Sequence, residues 1–245
     1  MFFTDPVFVG VESASSHRSF VYAVLDRSLN LVALADGELN DVTTFLAGVT
    51  SAVVAINSPS SVSRGVAAGK KKELFKSPRS RASSFRAAEL ELRSRGIAVS
   101  GTPSVAANCP AWVQAGFSLY RKLEKDGFKK YPAEGHPRQL LETHPHAAFY
   151  VMSGGAPQPK NTLEGKIQRQ LMLFEAGVRI KDPMDFFEEI TRHKMIKGVW
   201  PFDMLYPPEQ LDALVAAYTA WLAFHKPEKI STVGDPREGL IVLPG

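Results

Sequence analysis

The chain has 245 residues, of which 44% are hydrophobic and 22% charged, and its formal net charge is +4. This composition is that of an ordinary folded protein, and it excludes a disordered, collagen-like or coiled-coil chain. The single cysteine, Cys109, excludes an intrachain disulfide framework and favours a reducing compartment. The longest apolar stretch, 213–224, is shorter than the roughly 20 residues that span a bilayer, and the first residues lack the basic region of a secretory signal. We therefore expect a cytoplasmic protein with no membrane association.

The first quarter of the chain is predicted to form strands and a short helix. Strands are predicted at 7–13, 19–25 and 29–34, joined by short connections. Asn40 or Asp41 is expected to cap a helix that ends at Ala47. A continuous apolar run at 52–56 then indicates a strand buried on both faces, and hence the centre of a sheet covered by helices.

Residues 58–80 are rich in Ser, Gly, Lys and Pro, and we expect a long basic loop there. Gly96 is expected to end one of the later helices, and Asn161 with Glu164 to form a capping box for another. The later helices are predicted at 81–95, 111–125, 161–176, 183–194 and 208–224, and the later strands at 97–100, 140–142 and 239–243.

These elements predict a single α/β domain over residues 1–245. Its mixed sheet would be antiparallel in the first three strands and parallel afterwards, with helices on both faces. A helical insertion is expected at about 153–206, before the last long helix.

Positive charge is concentrated in one part of the chain. Ten basic and three acidic residues lie between Arg64 and Arg95, so this segment carries +7 while the rest is mildly acidic. Such a segment is typical of proteins that bind a polyanion such as nucleic acid, and the alternative is a solvated loop and surface helix. The charge does not distinguish DNA from RNA.

Four polar side chains interrupt or end elements that are otherwise apolar. Glu12 lies within the first strand, Asn57 and Glu142 follow buried strands, and Asp212 lies near the start of the last long helix. Ligands of open α/β sheets gather at the carboxyl ends of strands, and buried carboxylates are costly unless they are paired or bind a metal. We therefore predict that the four residues converge on Mg²⁺ or Mn²⁺. The alternative for Asp212 is that the helix dipole alone favours an acid near the start of the helix.

Several short motifs follow one another in order along the chain. They are VGVE at 9–12, AINSP at 55–59, RAAELELRSRG at 86–96, ETHP at 142–145, LDAL at 211–214 with Ala217, and VGDPREG at 233–239. Their order and spacing resemble the domain of unknown function 429 family (DUF429), predicted nucleases with an RNase H-like fold.

The resemblance implies a metal-dependent nuclease with Glu12, Asn57, Glu142 and Asp212 as its catalytic and metal-binding residues. It implies Mg²⁺ or Mn²⁺ as cofactor and nucleic acid as substrate, and it marks Gly165 as a family position. The expected substrate-binding residues, from the basic segment and from the family positions, are Lys70, Lys71, Lys72, Arg79, Arg81, Arg86, Lys160 and Arg169.

Two residues depart from the family pattern. Asn57 stands where an aspartate is usual, and His146 stands where an acid is expected after the His-Pro pair. Both changes would weaken a metal site. Glu209, one helical turn before Asp212, is a candidate replacement.

Three functions are therefore open. In the first, one or two metal ions held by the acids activate water and stabilise the leaving oxygen of a phosphodiester. In the second, the protein binds nucleic acid with little or no catalysis. In the third, it is a nucleotide-binding ATPase or sugar-kinase relative, which is disfavoured because Gly10 and Gly48 do not provide Gly-rich phosphate hairpins.

Other motifs carry less information. His144 and His146 have a spacing that suits zinc, but Pro145 separates them and no cysteine accompanies them. We therefore expect His144 to be a structural histidine at a strand-to-helix turn, with a proton shuttle as the alternative. The segment 65–70 lacks the spacing of a phosphate-binding P-loop. Trp112 is expected in the core, as are the other two tryptophans.

Overall fold

The computed structural model describes residues 5–13, 20–65 and 85–245. Its strands are β1 (Val7–Ser13), β2 (Phe20–Leu25), β3 (Leu31–Gly37), β4 (Ala52–Asn57), β5 (Lys129–Lys130), β6 (Arg138–Thr143), β7 (Ile230–Asp235) and β8 (Gly239–Pro244). Its helices are α1 (Leu39–Ala47), α2 (Ala87–Ser94), α3 (Ala111–Lys125), α4 (Pro145–Ser153), α5 (Leu163–Glu175), α6 (Asp185–Glu189), α7 (Arg192–Ile196) and α8 (Pro208–His225).

All of these strands belong to one sheet, with the order β3-β2-β1-β4-β6-β8-β7 and with β5 paired to β6 beside this path. The neighbours β1, β2 and β3 are antiparallel, whereas β1, β4, β6 and β8 run parallel to one another. Strand β7 returns antiparallel to β8. The predicted fold class, a mixed α/β sheet flanked by helices, is confirmed, and the arrangement is consistent with an RNase H-like fold.

An apolar layer covers each face of the sheet because side chains alternate along a strand. Phe8 and Ala55 point to the face that α8 covers. Val9 and Val54 point to the opposite face, which α1 and α3 cover. We refer to these as the α8 face and the α3 face.

Helix α8 lies unusually close to β1, and residue 10 allows this because it is glycine. A Cβ atom at Gly10 would lie 2.0 Å from the carbonyl oxygen of Ala213 and 2.2 Å from the amide nitrogen of Ala217. The backbone of α8 therefore rests directly on the strand. Since Glu12 follows Gly10 by two residues on the same face, and Asp212 precedes Ala213, the contact brings these two carboxylates together.

The strand predicted at 97–100 is wrong. Gly96 has φ 81° and follows the end of α2, as expected of a helix C-terminus. The amide of Ile97 then bonds back into α2, and the carbonyl of Val99 accepts a hydrogen bond from Arg93 Nη1 at 3.2 Å. These backbone groups are satisfied locally, so the segment does not join the sheet.

The single helix predicted at 183–194 is also wrong, because α6 and α7 are separate short helices. Ile190 ends α6, and Thr191 begins α7 by accepting a hydrogen bond from the amide of Lys194. Of the helix predicted at 81–95, the described part is helical from Ala87.

Two helix caps differ from the prediction by a few residues. The side chain of Thr162, not Asn161, accepts a backbone hydrogen bond and caps α5. In α1 the cap residue is Glu38, whose amide donates to Asp41 at 2.8 Å.

Between α4 and α8, a stretch that the structure describes in full, the chain forms α5, α6 and α7 and adds no strand to the sheet. This stretch corresponds to the helical insertion predicted at about 153–206. Over the described ranges, no helix combines the length and the apolar character needed to cross a bilayer.

Replacing Gly10 with alanine is expected to lower the free energy of unfolding by about 2–3 kcal/mol or more, because the added methyl group would overlap the α8 backbone. Urea unfolding followed by circular dichroism measures this change. Gly155→Ala is the control, since no atom lies within 4 Å of a Cβ at that position. A similar, small effect of both substitutions would contradict the direct backbone contact.

Candidate functional site

The carboxyl ends of the parallel strands β1, β4 and β6 meet at one edge of the sheet. A cavity of about 560 Å³ lies at this edge, large enough for a ligand of nucleotide size. The ionisable and amide side chains of its wall are those of Asn57, Arg86, Glu89, Glu142, His144, His146, Gln158, Lys160, Arg169 and Asp212. Most of the described side chains that the sequence singled out therefore surround one space.

Glu12 and Asp212, which we call the acid pair, are both buried on the α8 face of the sheet. Glu12 is in register with Asn57 on the neighbouring strand, and Asn57 Nδ2 donates to Glu12 Oε2 at 2.5 Å. Asp212, in α8, accepts a hydrogen bond from Lys160 Nζ at 2.9 Å. The predicted proximity of these two acids and Asn57 is therefore present in the structure.

The acid pair carries more negative charge than its surroundings neutralise. Burial raises the pKa of Glu12 well above its ordinary value, and the charge of Asp212 raises it further, while the hydrogen bond from Asn57 opposes both effects. Burial also raises the pKa of Asp212, against the opposing charge of Lys160. The exposed Glu209 adds negative charge to both groups. The pair therefore favours either a bound proton or a bound cation.

Glu142 does not join the acid pair, which corrects the predicted set of four metal ligands. Its register partner on β4 is Ile56, one residue before Asn57. Because side chains alternate along a strand, Glu142 and Ile56 point to the α3 face while Asn57 and Glu12 point to the α8 face. Glu142 reaches the cavity wall from the other side of the sheet.

The carboxylate of Glu142 is instead occupied by Arg86. Arg86 Nη1 donates to one Glu142 oxygen at 2.9 Å and Nη2 donates to the other. The same guanidinium donates from Nε to Glu89 at 2.8 Å, and all three side chains are buried. Arg86, predicted to bind substrate, therefore has its charge neutralised by Glu142 and Glu89 inside the protein.

Glu238, in the turn between β7 and β8, holds two distant parts of the chain. One of its carboxylate oxygens accepts a hydrogen bond from the amide of Arg64 at 2.6 Å, and the other accepts one from the amide of Ala87 at 2.8 Å. Between these two anchored amides lies the central part of the basic segment. Five predicted substrate-binding residues fall outside the described residues: Lys70, Lys71, Lys72, Arg79 and Arg81.

The position of Lys160 depends on the start of α5. Arg169 Nη1 donates to the carbonyl of Gln158 at 2.7 Å and to that of Gly165 at 3.0 Å. A Cβ at Gly165 would lie 1.9 Å from the carbonyl oxygen of Pro159, so only glycine allows the segment before α5 to pack this closely. These contacts hold Lys160 beside Asp212. The resemblance marked Lys160, Gly165 and Arg169 in the sequence, and no local pattern did.

His144 has a structural role, as the sequence predicted. Its Nδ1 accepts a hydrogen bond from the amide of Ala147 at 3.2 Å and caps α4. Burial, with the charge of His146 adding to it, lowers the pKa of His144 to about 4, so the ring is neutral at physiological pH. Burial also lowers the pKa of His146, and the charges of Arg169 and Lys160 add to this effect.

Trp112 and Trp200 correct another expectation, since only Trp221 of the three tryptophans is buried in the core. Trp112 is half-buried and lines the cavity, and Trp200 is exposed. No signal in the sequence distinguished the three.

The donor atoms of the acid pair and Asn57 suit a hard cation such as Mg²⁺ or Mn²⁺. Proteins commonly hold Mg²⁺ through one or two carboxylates and leave its other positions to water and substrate phosphate. The oxygens of Glu12, Asp212 and Asn57 fit that description. They do not fit a larger acidic cluster, since in the described ranges no three His, Cys, Asp or Glu side chains form a group able to hold a metal ion.

Comparison with known proteins supports the resemblance seen in the sequence. A family described as protein of unknown function (DUF429) matches residues 11–238, which include every candidate site residue named above. The chain belongs to this family. No curated protein matches it. Membership of DUF429 thus accounts for the order of the motifs and leaves the chemistry of the site to be inferred from its geometry.

Glu12→Gln is expected to stabilise the metal-free protein at pH 8, because it removes a carboxylate whose charged form is disfavoured by burial and by Asp212. The raised pKa means that the folded state retains a proton which the unfolded state releases above the ordinary pKa of 4.5. Stability of the wild type should therefore fall as pH rises from that value toward the raised pKa, and the variant should lose part of this slope. Urea unfolding from pH 5 to 8 measures this dependence of stability on pH, with Glu228→Gln at an exposed position as control. Parallel stability profiles of Glu12→Gln and wild type would refute the buried charge.

Glu142→Gln is expected to have the opposite effect and to lower the free energy of unfolding by about 3 kcal/mol, because it leaves the buried Arg86 without its main counter-charge. The same measurement at pH 7 in the presence of EDTA tests this. If Glu142 were instead an unneutralised metal ligand, its removal would stabilise the metal-free protein, and that result would contradict the assignment.

Proposed function

We propose that the protein is a metal-dependent nuclease that hydrolyses phosphodiester bonds at the acid pair. The observation that carries the proposal is the burial of Glu12 and Asp212 side by side at the carboxyl edge of the sheet, where the charges of Lys160 and Arg169 do not fully offset the cost of burial. Such a pair is costly for a purely structural element and useful for holding a cation. The adjoining cavity gives a substrate access to this edge.

In this proposal Glu12, Asp212 and the side-chain oxygen of Asn57 would hold Mg²⁺ or Mn²⁺. The bound ion would supply an activated water and charge stabilisation for the leaving oxygen. Lys160 orients Asp212 through its hydrogen bond, and with a side chain 43% exposed it also offers positive charge to an incoming phosphate. Glu142 and Arg86 support the cavity wall and have no chemical step.

The basic sequence between Arg64 and Arg95 supports nucleic acid as the substrate. Glu238 binds the amides of Arg64, where this sequence begins, and of Ala87, which follows the cavity-wall residue Arg86. Lysine and arginine side chains in such a segment favour the phosphate backbone without regard to sequence. Arg86 is buried and paired, so it is not among the cations of this segment that can contact the phosphate backbone.

One observation favours the second candidate, a nucleic-acid-binding protein with little catalysis. Lys160 Nζ already neutralises Asp212, and Glu142 faces away from the acid pair. If the lysine replaces the metal ion, the site would bind phosphate without cleaving it. Metal binding decides between the two candidates.

Hydrolysis of single- and double-stranded DNA and RNA with Mg²⁺ or Mn²⁺ tests the proposal. Asp212→Asn and Glu12→Gln should each reduce the rate at least about 100-fold, since each removes a metal ligand, whereas Glu228→Gln should not. Mn²⁺ should also raise the melting temperature of the wild type and not that of Asp212→Asn. Equal rates in wild type and variants would reject the site, and nucleic-acid binding without a response to Mn²⁺ would favour the second candidate.

A further inference from the structure

Arg169 is a buried guanidinium with an incomplete set of hydrogen bonds. The residue is 2% exposed, and among the described residues its hydrogen-bond partners are the carbonyl oxygens of Gln158 and Gly165, both bound by Nη1. Nε is buried without a partner there, whereas Nη2, which also takes part in no hydrogen bond of the described residues, is not fully buried. The unpaired buried Nε costs free energy, and the unbonded Nη2 leaves a donor to which a ligand in the cavity can bind.

Arg138 shows why the missing partner of Arg169 is informative. It too has an unpartnered Nε, but its Nη1 and Nη2 donate to the carbonyls of Asp126 and Leu46 at 3.0 and 2.8 Å. Arg138 lies at the start of β6, away from the carboxyl end of the strand where the cavity lies, and it is not part of the cavity wall. Arg169 differs because one whole nitrogen of its fork is unpaired and because it lines the cavity.

A second cation lies near Arg169, together with the carboxylate of Asp212, whose charge reaches the guanidinium. Lys160 and His146 line the same cavity, and the charges of Lys160 and Arg169 both reach the His146 ring. Lys160 is shared with Asp212, but its side chain remains partly exposed. The guanidinium fork matches two oxygens of a phosphomonoester, and the partly exposed ammonium of Lys160 can contact a third oxygen that a carboxylate lacks, while it stays bonded to Asp212.

We propose that Arg169, Lys160 and His146 form a subsite for a terminal phosphate group within the cavity. The substrate would then be a phosphorylated chain end or a short oligonucleotide, since the cavity accommodates one nucleotide and not a double helix. The assignment of this phosphate to a nuclease substrate rests on the proposed function, whereas the binding of phosphate does not.

Calorimetry with inorganic phosphate, in EDTA and without divalent metal, tests the subsite. The wild type should bind one phosphate per chain, and Arg169→Gln should bind it at least about tenfold more weakly because a charged hydrogen-bond partner is lost. Arg138→Gln is the matched control and should bind like the wild type. Absence of phosphate binding by the wild type, equal affinities of the two variants, or equally tight binding of acetate would overturn the proposal.

Arg169 also holds the segment before α5, so its replacement could affect folding, and Lys160→Gln provides a second test. Lys160 is partly exposed, and its loss should weaken phosphate binding about threefold or more while circular dichroism shows an intact fold. Unchanged affinity in a folded Lys160→Gln would overturn the subsite.

The two proposals fail separately. Phosphate binding that depends on Arg169, without hydrolysis of any nucleic acid, would leave the subsite standing and reject the nuclease. The subsite alone would be rejected by a different result. In that result, wild type and folded Arg169→Gln both hydrolyse nucleic acid with metal, and each has the same KM for oligonucleotides with a terminal phosphate as for those without one.

Discussion

The contact between the backbones of α8 and β1 at Gly10 is the constraint on which the site depends. It fixes both the distance and the rotation of the helix, because Ala213 and Ala217 on one side of α8 touch the strand directly. A shift of one residue along α8 would turn Asp212 by about 100° and carry its carboxylate away from Glu12. The chemistry of the acid pair is therefore built on a steric requirement for small residues.

The sheet separates two kinds of buried charge. On the α3 face, Arg86 is enclosed by Glu142 and Glu89, so the positive and negative groups satisfy one another. On the α8 face, the charges of Lys160 and Arg169 only partly offset burial, and the pKa values of Glu12 and Asp212 stay raised. The first arrangement stabilises the fold. In the second, buried negative charge is only partly neutralised, and a ligand can neutralise the rest.

Local patterns in the sequence predicted the strands and helices that depend on the local order of apolar and polar residues. The bounds of β1 and α3, the buried strand β4 and the long α8 all follow from apolar runs or helical periodicity. The register between β4 and β6 does not, and a slip of one residue decides that Glu142 points away from Asn57. The pairing of Arg86 with Glu142 joins residues far apart in the chain. Strand β7 was not predicted, and it includes Gly234, a residue type that is depleted in strands. Arg169 was identified only through the resemblance, because a single arginine on a helix has no distinguishing local pattern.

The two hydrogen bonds to Glu238 have a consequence for how this protein can vary. The amides of Arg64 and Ala87 are bound by the same carboxylate, so the two ends of the intervening sequence are held together at Glu238. The entropy of closing such a loop grows slowly, by only about 0.6 kcal/mol for each doubling of its length. A change in the length of the sequence between these two anchors would therefore add little to the free energy of closing it, provided that Arg86, which precedes Ala87, keeps its place in the cavity wall.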